Sequence, residues 1–202
     1  MRRFLRAEPG QGTVELALAL SMVLLPMLMA MLEFGYLFSQ GMTMNTATRE
    51  GARMGGNQAN GGGPLGCGAG QSPNAANVDP QIVAAVERSL TANGALISLP
   101  DITEIRIFKA TASGAETPGS VRVWIYSLNS GPVIDGQALD FVASGGVANF
   151  QACQRVNTLP ADSIGITVKY TYRARTPLRY FFPGLAVIQM SDTVVMTLNA
   201  TQ

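Results

Sequence analysis

The sequence predicts an α+β chain: a long apolar N-terminal helix, then a small head in which one helix packs on an antiparallel sheet of about four strands. Three observations carry this reading. Val14 to Phe38 is apolar apart from a few isolated positions. Ile82, Val83, Val86 and Leu90 recur at the spacing of one helix face. Residues 164–172 alternate strictly, with apolar side chains at every even position, the two-residue period of a half-buried strand.

The long helix comes first. Leu16 to Leu32 contains no charge, and only Ser21 and Pro26 interrupt its apolar character. A bilayer span needs about 20 mainly apolar residues, so Val14 to Phe38 is long enough to cross. Arg2, Arg3 and Arg6 precede it, whereas Ser39–Thr48 is uncharged. This asymmetry places the N-terminus in the cytoplasm and the bulk of the chain outside. The run is too long for the h-region of a removable signal, usually about 7–15 residues. Helical character should continue from Gln11 to Met54, where Gly55-Gly56 is a plausible stop. Such a rod is roughly 60–70 Å long, about twice the hydrocarbon thickness. Its outer half must therefore pack on something else, and Ser39, Gly41, Thr43, Ala47, Thr48, Gly51 and Ala52 would permit close approach. Pro26 removes one backbone hydrogen bond and should kink the rod or leave a short unwound stretch.

Two acids sit on this helix. Glu15 lies at its start and Glu33 at its far end. A carboxylate in a membrane helix costs a few kcal/mol unless it is paired or near the interface. If the chain were cut after Gly10, Gln11 would carry a new α-amino group with a pKa of about 7.7–8.0, mostly protonated at neutral pH. That ammonium, from the same chain or a neighbour, is the available partner for Glu15. A neighbour's ammonium would fix the axial stagger of stacked helices, the best-attested use of a buried ionic group. Glu33 is either a second helix–helix contact or a residue in water at the outer interface.

The remainder of the chain is organised in two parts. Residues 55–78 are dominated by Gly, Asn, Pro and Gln and include Gly61-Gly62-Gly63-Pro64, which predicts a flexible linker. Residues 79–202 form the head. Asp79-Pro80 suits the opening of a helix, Asp as N-cap and Pro at the first position, and Gly94 its end. Strand signals follow at 105–108, 121–126, 164–172 and 193–198, while 127–160 reads as an insertion or long loop. Trp124 is expected in the core. The tract Tyr170, Tyr172, Tyr180, Phe181, Phe182 reads as core with a Pro183-Gly184 turn, or alternatively as a surface for a partner.

Composition excludes several functions. The chain of 202 residues carries 14 basic and 13 acidic groups, so charge gives no sign of a nucleic-acid partner. The leader, residues 1–10, has three Arg against one Glu, a net +2; the whole chain is +1, which leaves −1 for the rest. Charged residues are 13% of the total, well under the roughly 25% of soluble proteins. No histidine is present, which removes Ser-His-Asp and Cys-His catalysis and His-containing zinc sites. Asp135, Asp140 and Asp162 lie in loops without a paired-acid pattern, and no cofactor or metal motif is found. The sequence is not that of an enzyme. Cys67 and Cys153 are the two cysteines; in an exported chain they suggest one disulfide, the alternative being two unpaired small core residues.

The ordered pieces Gly10-Gln11-Gly12-Thr13-Val14-Glu15, then Pro26, then Glu33-Phe34-Gly35, and finally Arg49-Glu50-Gly51-Ala52-Arg53 resemble the TadE-like family of minor pilins, or pseudopilins, of tight-adherence (Tad, or Flp) type IV pili. The resemblance covers residues 1 to about 54. It implies that residues 1–10 are a prepilin leader, that a prepilin peptidase cuts between Gly10 and Gln11, and that Glu15 is the fifth-position acid of the mature chain. Gln11 departs from the Phe found at that first position in many type IV pilins. The implied partners are the peptidase, other pilins of the same apparatus and the membrane, with no cofactor and no nucleic acid. The implied location is the cytoplasmic membrane and then the pilus or cell surface. Major pilins of that branch resemble a short helix with almost no head; residues 55–202 suit a minor subunit or assembly factor better. The competing reading is an uncleaved, signal-anchored extracytoplasmic binding protein.

Overall fold

The computed structural model describes residues 11–58, 75–92, 96–145 and 150–199. The chain divides into two compact units. One comprises the helix up to Phe38 together with Arg173–Val187; the other comprises Ser39–Tyr172 and Ile188–Gln202.

Helix α1 runs from Gln11 to Asn57. It does not stop at Met54, and Gly55 and Gly56 are helical and buried. Their role is close packing. A Cβ on Gly55 would lie 2.8 Å from Ile164 Cδ1 and 3.1 Å from Ile82 Cδ1. One on Gly51 would lie 2.5 Å from Val86 Cγ2. The helix also runs through Pro26 without the unwound stretch the sequence suggested.

Helix α2, Ala75–Leu90, begins four residues before Asp79. Asp79 is therefore not its N-cap, and Pro80 lies inside it. The Asp79 carboxylate is engaged elsewhere: it is buried and meets Arg155 Nη2 at 2.5 Å and Arg122 Nε at 3.5 Å. The expected apolar face is confirmed, with Ile82, Val83, Val86 and Leu90 fully buried. Residues 55–57 and 75–78 of the expected linker are thus α1 and α2, while Gly61–Pro64, Cys67 and Gly94 lie outside the described residues.

The α+β class is the one found, and among the described residues the sheet has five strands, close to the four or so expected. They are β1 (Ile102–Ala110), β2 (Glu116–Tyr126), β5 (Phe141–Ala143), β6 (Ser163–Arg173) and β7 (Val187–Thr197), in the spatial order β5-β2-β1-β6-β7. β1 pairs antiparallel with both β2 and β6, and β2 with β5. Side-chain bonds Thr167–Thr193 and Thr171–Gln189 run in opposite senses along β6 and β7, so this pair is antiparallel too. The fifth strand comes from the segment expected to be loop. That segment also holds a small hairpin, β3 (Val133–Ile134) and β4 (Gln137–Ala138). Asp135 and Gly136 both adopt positive φ at its tip, the conformation a two-residue turn demands.

The alternation read in β6 is the organising pattern of the head. Ile164, Ile166, Val168, Tyr170 and Tyr172 are all buried, as are Ile105 and Ile107 across the β1 register and Trp124 beyond them. Ile164 and Ile166 meet the glycine face of residues 51–55. The opposite face carries ion pairs Arg106–Glu116 at 2.7 Å and Lys169–Glu104 at 2.6 Å. There Phe108 lies over Gly165, where a Cβ would be 2.2 Å from the ring, a cross-strand aromatic covering a strand glycine.

Two predictions follow from this packing. Gly51→Val inserts side-chain bulk against Val86 and should lower thermal stability of the head by about 1–3 kcal/mol. Burial pushes the Glu104 carboxyl up, but Lys169 and Arg106 outweigh it and hold it below the ordinary carboxylate range. Its contribution is therefore present above the usual carboxylate pKa and lost as pH falls through the lower folded value. In acid titrations followed by circular dichroism, Glu104→Gln should lose less stability than the parent chain over that window.

Candidate assembly helix

Among the described residues, most of the inner part of α1 has no cover within its own unit. Leu16 is 67% exposed, Met22 78% and Phe34 68%, and the other large apolar residues from Val14 to Phe38 named as exposed lie on all sides of the helix. An apolar surface that runs round the whole helix belongs in lipid or among other helices. Residues 12–57 contain a window of mean hydropathy 2.1, long and apolar enough to cross a membrane.

Polar groups on this surface are few. Ser21 Oγ donates to the Ala17 carbonyl one turn back, which satisfies it within the helix. Glu15 is exposed, and among the described residues no hydrogen bond or ion pair engages its carboxylate. Gly10 lies outside the described residues; Gln11 is the first residue of the helix.

Glu33 behaves differently. It is 8% exposed. Its Oε1 accepts a hydrogen bond from the Arg175 backbone N–H at 3.0 Å, and its Oε2 accepts one from the Thr176 N–H at 2.9 Å. The Arg175 guanidinium lies over the Tyr36 ring at 5.9 Å. Glu33 is thus not in open water, and both its carboxylate oxygens are engaged within its own unit. It ties the β6–β7 connection to the helix of its own chain through two charge-assisted bonds. No residue pattern signals this, because the partners are backbone groups 142 and 143 residues away.

The outer part of α1 is covered by the head. Met44, Ala47, Thr48, Gly51, Ala52 and Gly55 are buried on one face. Polar ties fix the same segment: Gln40 Nε2 donates to the Leu96 carbonyl at 2.9 Å, and the Asn199 N–H to the Gly56 carbonyl at 3.1 Å. The Arg49–Arg53 motif is split by this packing. Gly51 and Ala52 point inward, whereas Arg49 and Arg53 are exposed, and Arg53 pairs with Glu50 at 3.0 Å on the surface.

Residues 10–53 match the family model for TadE-like protein. No curated protein and no solved structure matches the chain. The TadE-like match spans the uncovered inner helix, Glu15, Pro26, Glu33 and the motif through Arg53, and ends before the head. The resemblance read from the sequence is therefore the one the family model finds, and the match covers the N-terminal apolar helix alone.

The head offers no comparable chemistry. Among the described residues no group of three or more His, Cys, Asp or Glu could hold a metal. Asp140 accepts a bond from the Asn129 N–H at 2.7 Å, and Asp162 meets Lys109 Nζ at 2.6 Å while accepting from the Val156 N–H at 2.9 Å. Asp135 pairs with Arg88 on the surface at 3.5 Å. A small cleft between α2 and the β3–β4 hairpin contains Glu87, whose carboxyl is pushed up by burial although it accepts a bond from the Asp140 N–H. Each of these acids braces a loop. Cys153 is buried in the short turn Ala152–Gln154; Cys67 lies outside the described residues.

If Glu33 holds the connection in place, Glu33→Ala removes both acceptors at once. The amides of Arg175 and Thr176 should then lose protection worth about 1–3 kcal/mol in hydrogen exchange. The amides of β1 should be unchanged.

Proposed function

We propose that this chain is a minor pilin, or pseudopilin, or an assembly factor of a tight-adherence type IV pilus, structural in its work and not an enzyme. The observation that carries the reading is the uncovered apolar helix with an unengaged acid at its fifth position, inside a TadE-like segment. In this reading residues 1–10 are a leader, and a prepilin peptidase cuts between Gly10 and Gln11. The helix waits in the cytoplasmic membrane with its N-terminus inside and its head outside, then packs among the helices of other subunits.

Glu15 supplies the register. Its carboxylate meets the new ammonium of a neighbouring Gln11, which removes the cost of holding an acid in an apolar surround. Pro26 supplies the place where the helix can bend, since its ring leaves the Met22 carbonyl without the usual donor. Gly51 and Ala52 join the head to the helix, and Arg49, Glu50 and Arg53 remain on the outside, where a neighbouring subunit can meet them. Glu33 contributes indirectly by setting the surface beside it. A Cys67–Cys153 bridge is part of the proposal; its support is that Cys153 is buried and is not a free thiol. Closing so long a loop contributes roughly 4 kcal/mol in the chain-entropy account.

Mass measurement of the native N-terminus tests the processing step. A mature chain that begins at Gln11 is expected; one that begins at Met1 favours an uncleaved anchor. Glu15→Lys should still be cut and still reach the membrane, but should be lost from the assembled apparatus. Normal incorporation of that variant would remove the basis for the register role.

A further inference from the structure

The β6–β7 connection, Arg173–Val187, belongs to the same compact unit as the inner helix. It contains three arginines and no acidic residue. Arg173, Arg175 and Arg179 are all exposed, and Tyr180 and Phe182 are 73% and 54% exposed. Arg179 lies over the Tyr180 ring at 5.1 Å. The sequence leaves this aromatic tract, with Tyr170 and Tyr172, either in the core or on a surface for a partner, the core being the first reading. That holds for Tyr170 and Tyr172 but not for Tyr180 and Phe182.

The height of the connection along the helix is fixed by Glu33. Gly12 to Leu32 covers about 31 Å at 1.5 Å per residue, close to the roughly 30 Å of a hydrocarbon core. Glu33 follows immediately, and its carboxylate holds the backbone of Arg175 and Thr176. The cationic, aromatic connection is therefore held within a turn of where the apolar run ends. Aromatic rings with polar tips and long basic side chains are the residues that settle at a membrane–water boundary.

We propose that the Arg173–Val187 connection is a second membrane contact, which docks on the anionic phospholipid surface where the helix emerges. Its arginines meet headgroup phosphates, and Phe182 and Tyr180 enter the interface. The proposal rests on the reading of α1 as a membrane span. A lipid surface, and not a protein groove, is the occupant because the patch carries one sign of charge and is continuous with the span. Docking there holds the subunit at a fixed depth before assembly, and extraction into a filament must release it.

Tryptophan quenching tests this on the full chain reconstituted in vesicles containing phosphatidylcholine brominated high or low on its acyl chains, with and without phosphatidylglycerol. The single native tryptophan, Trp124, is 3% exposed in the head and serves as an unquenched baseline. Leu24→Trp reports on the span and should be quenched best by the deep bromines in every vesicle. Phe182→Trp should be quenched best by the shallow bromines, and only with phosphatidylglycerol present. Adding Arg179→Gln should then lower the docked-to-undocked ratio about fivefold, as expected for one basic residue near an anionic surface. A quenched Leu24→Trp with an unquenched Phe182→Trp would overturn this proposal and leave the span intact. So would quenching of Phe182→Trp that is indifferent to both phosphatidylglycerol and Arg179. An unquenched Leu24→Trp would overturn the span itself, and the docking with it.

Discussion

An apolar helical surface left largely uncovered by the described residues of its own unit dictates the rest of this molecule. Residues 12–32 are apolar on every side of the helix, a surface that belongs in lipid or among other helices. Every later feature answers that constraint. The head packs closely on the helix from Gln40 onward, most tightly where small residues repeat at Ala47, Thr48, Gly51, Ala52 and Gly55. The surface of residues 12–32 is left, in the proposed function, for lipid and for other subunits. An acid on such a surface costs a few kcal/mol unless it is paired or near the interface, and in the proposed function a counter-charge gives Glu15 its role.

Two carboxylates of similar appearance thus have different physics. Glu15 is exposed and meets no described partner. Glu33 is buried, with both oxygens bonded to backbone amides of the β6–β7 connection. The first is open to an intermolecular role; the second is already engaged within the chain. The distinction matters because a helix taken alone would present both as register devices. It also explains how a connection rich in arginine and aromatic residues is held beside the end of the apolar run.

Much of the fold was legible because it rests on periodicity. The uncharged run gave α1, the spacing of Ile82, Val86 and Leu90 gave α2, and the alternation of residues 164–172 gave β6 with its buried face. Boundaries were harder. Gly55-Gly56 looks like a helix stop, yet here the absent side chains make room for Ile82 and Ile164. Asp79-Pro80 looks like a helix start, yet the aspartate is needed by Arg155 and Arg122. The fifth strand was missed because Phe141–Ala143 is too short to show a period, although Asp135-Gly136 is a strong hairpin signal and marked structure in the same segment. Of the candidate site, Glu15 and the TadE-like order of motifs could be read directly. The partners of Glu33 could not, since backbone amides carry no sequence signature.

The central claim is that sister helices, and not lipid alone, cover the inner part of α1 in the assembled state. Photo-crosslinking in intact cells tests it most directly, with a photoreactive residue in place of Leu18, whose side chain is 59% exposed one turn beyond Glu15. The account predicts covalent adducts with other subunits of the apparatus, formed in the assembled fraction. Adducts with phospholipid alone, in cells that have assembled the apparatus, would contradict it.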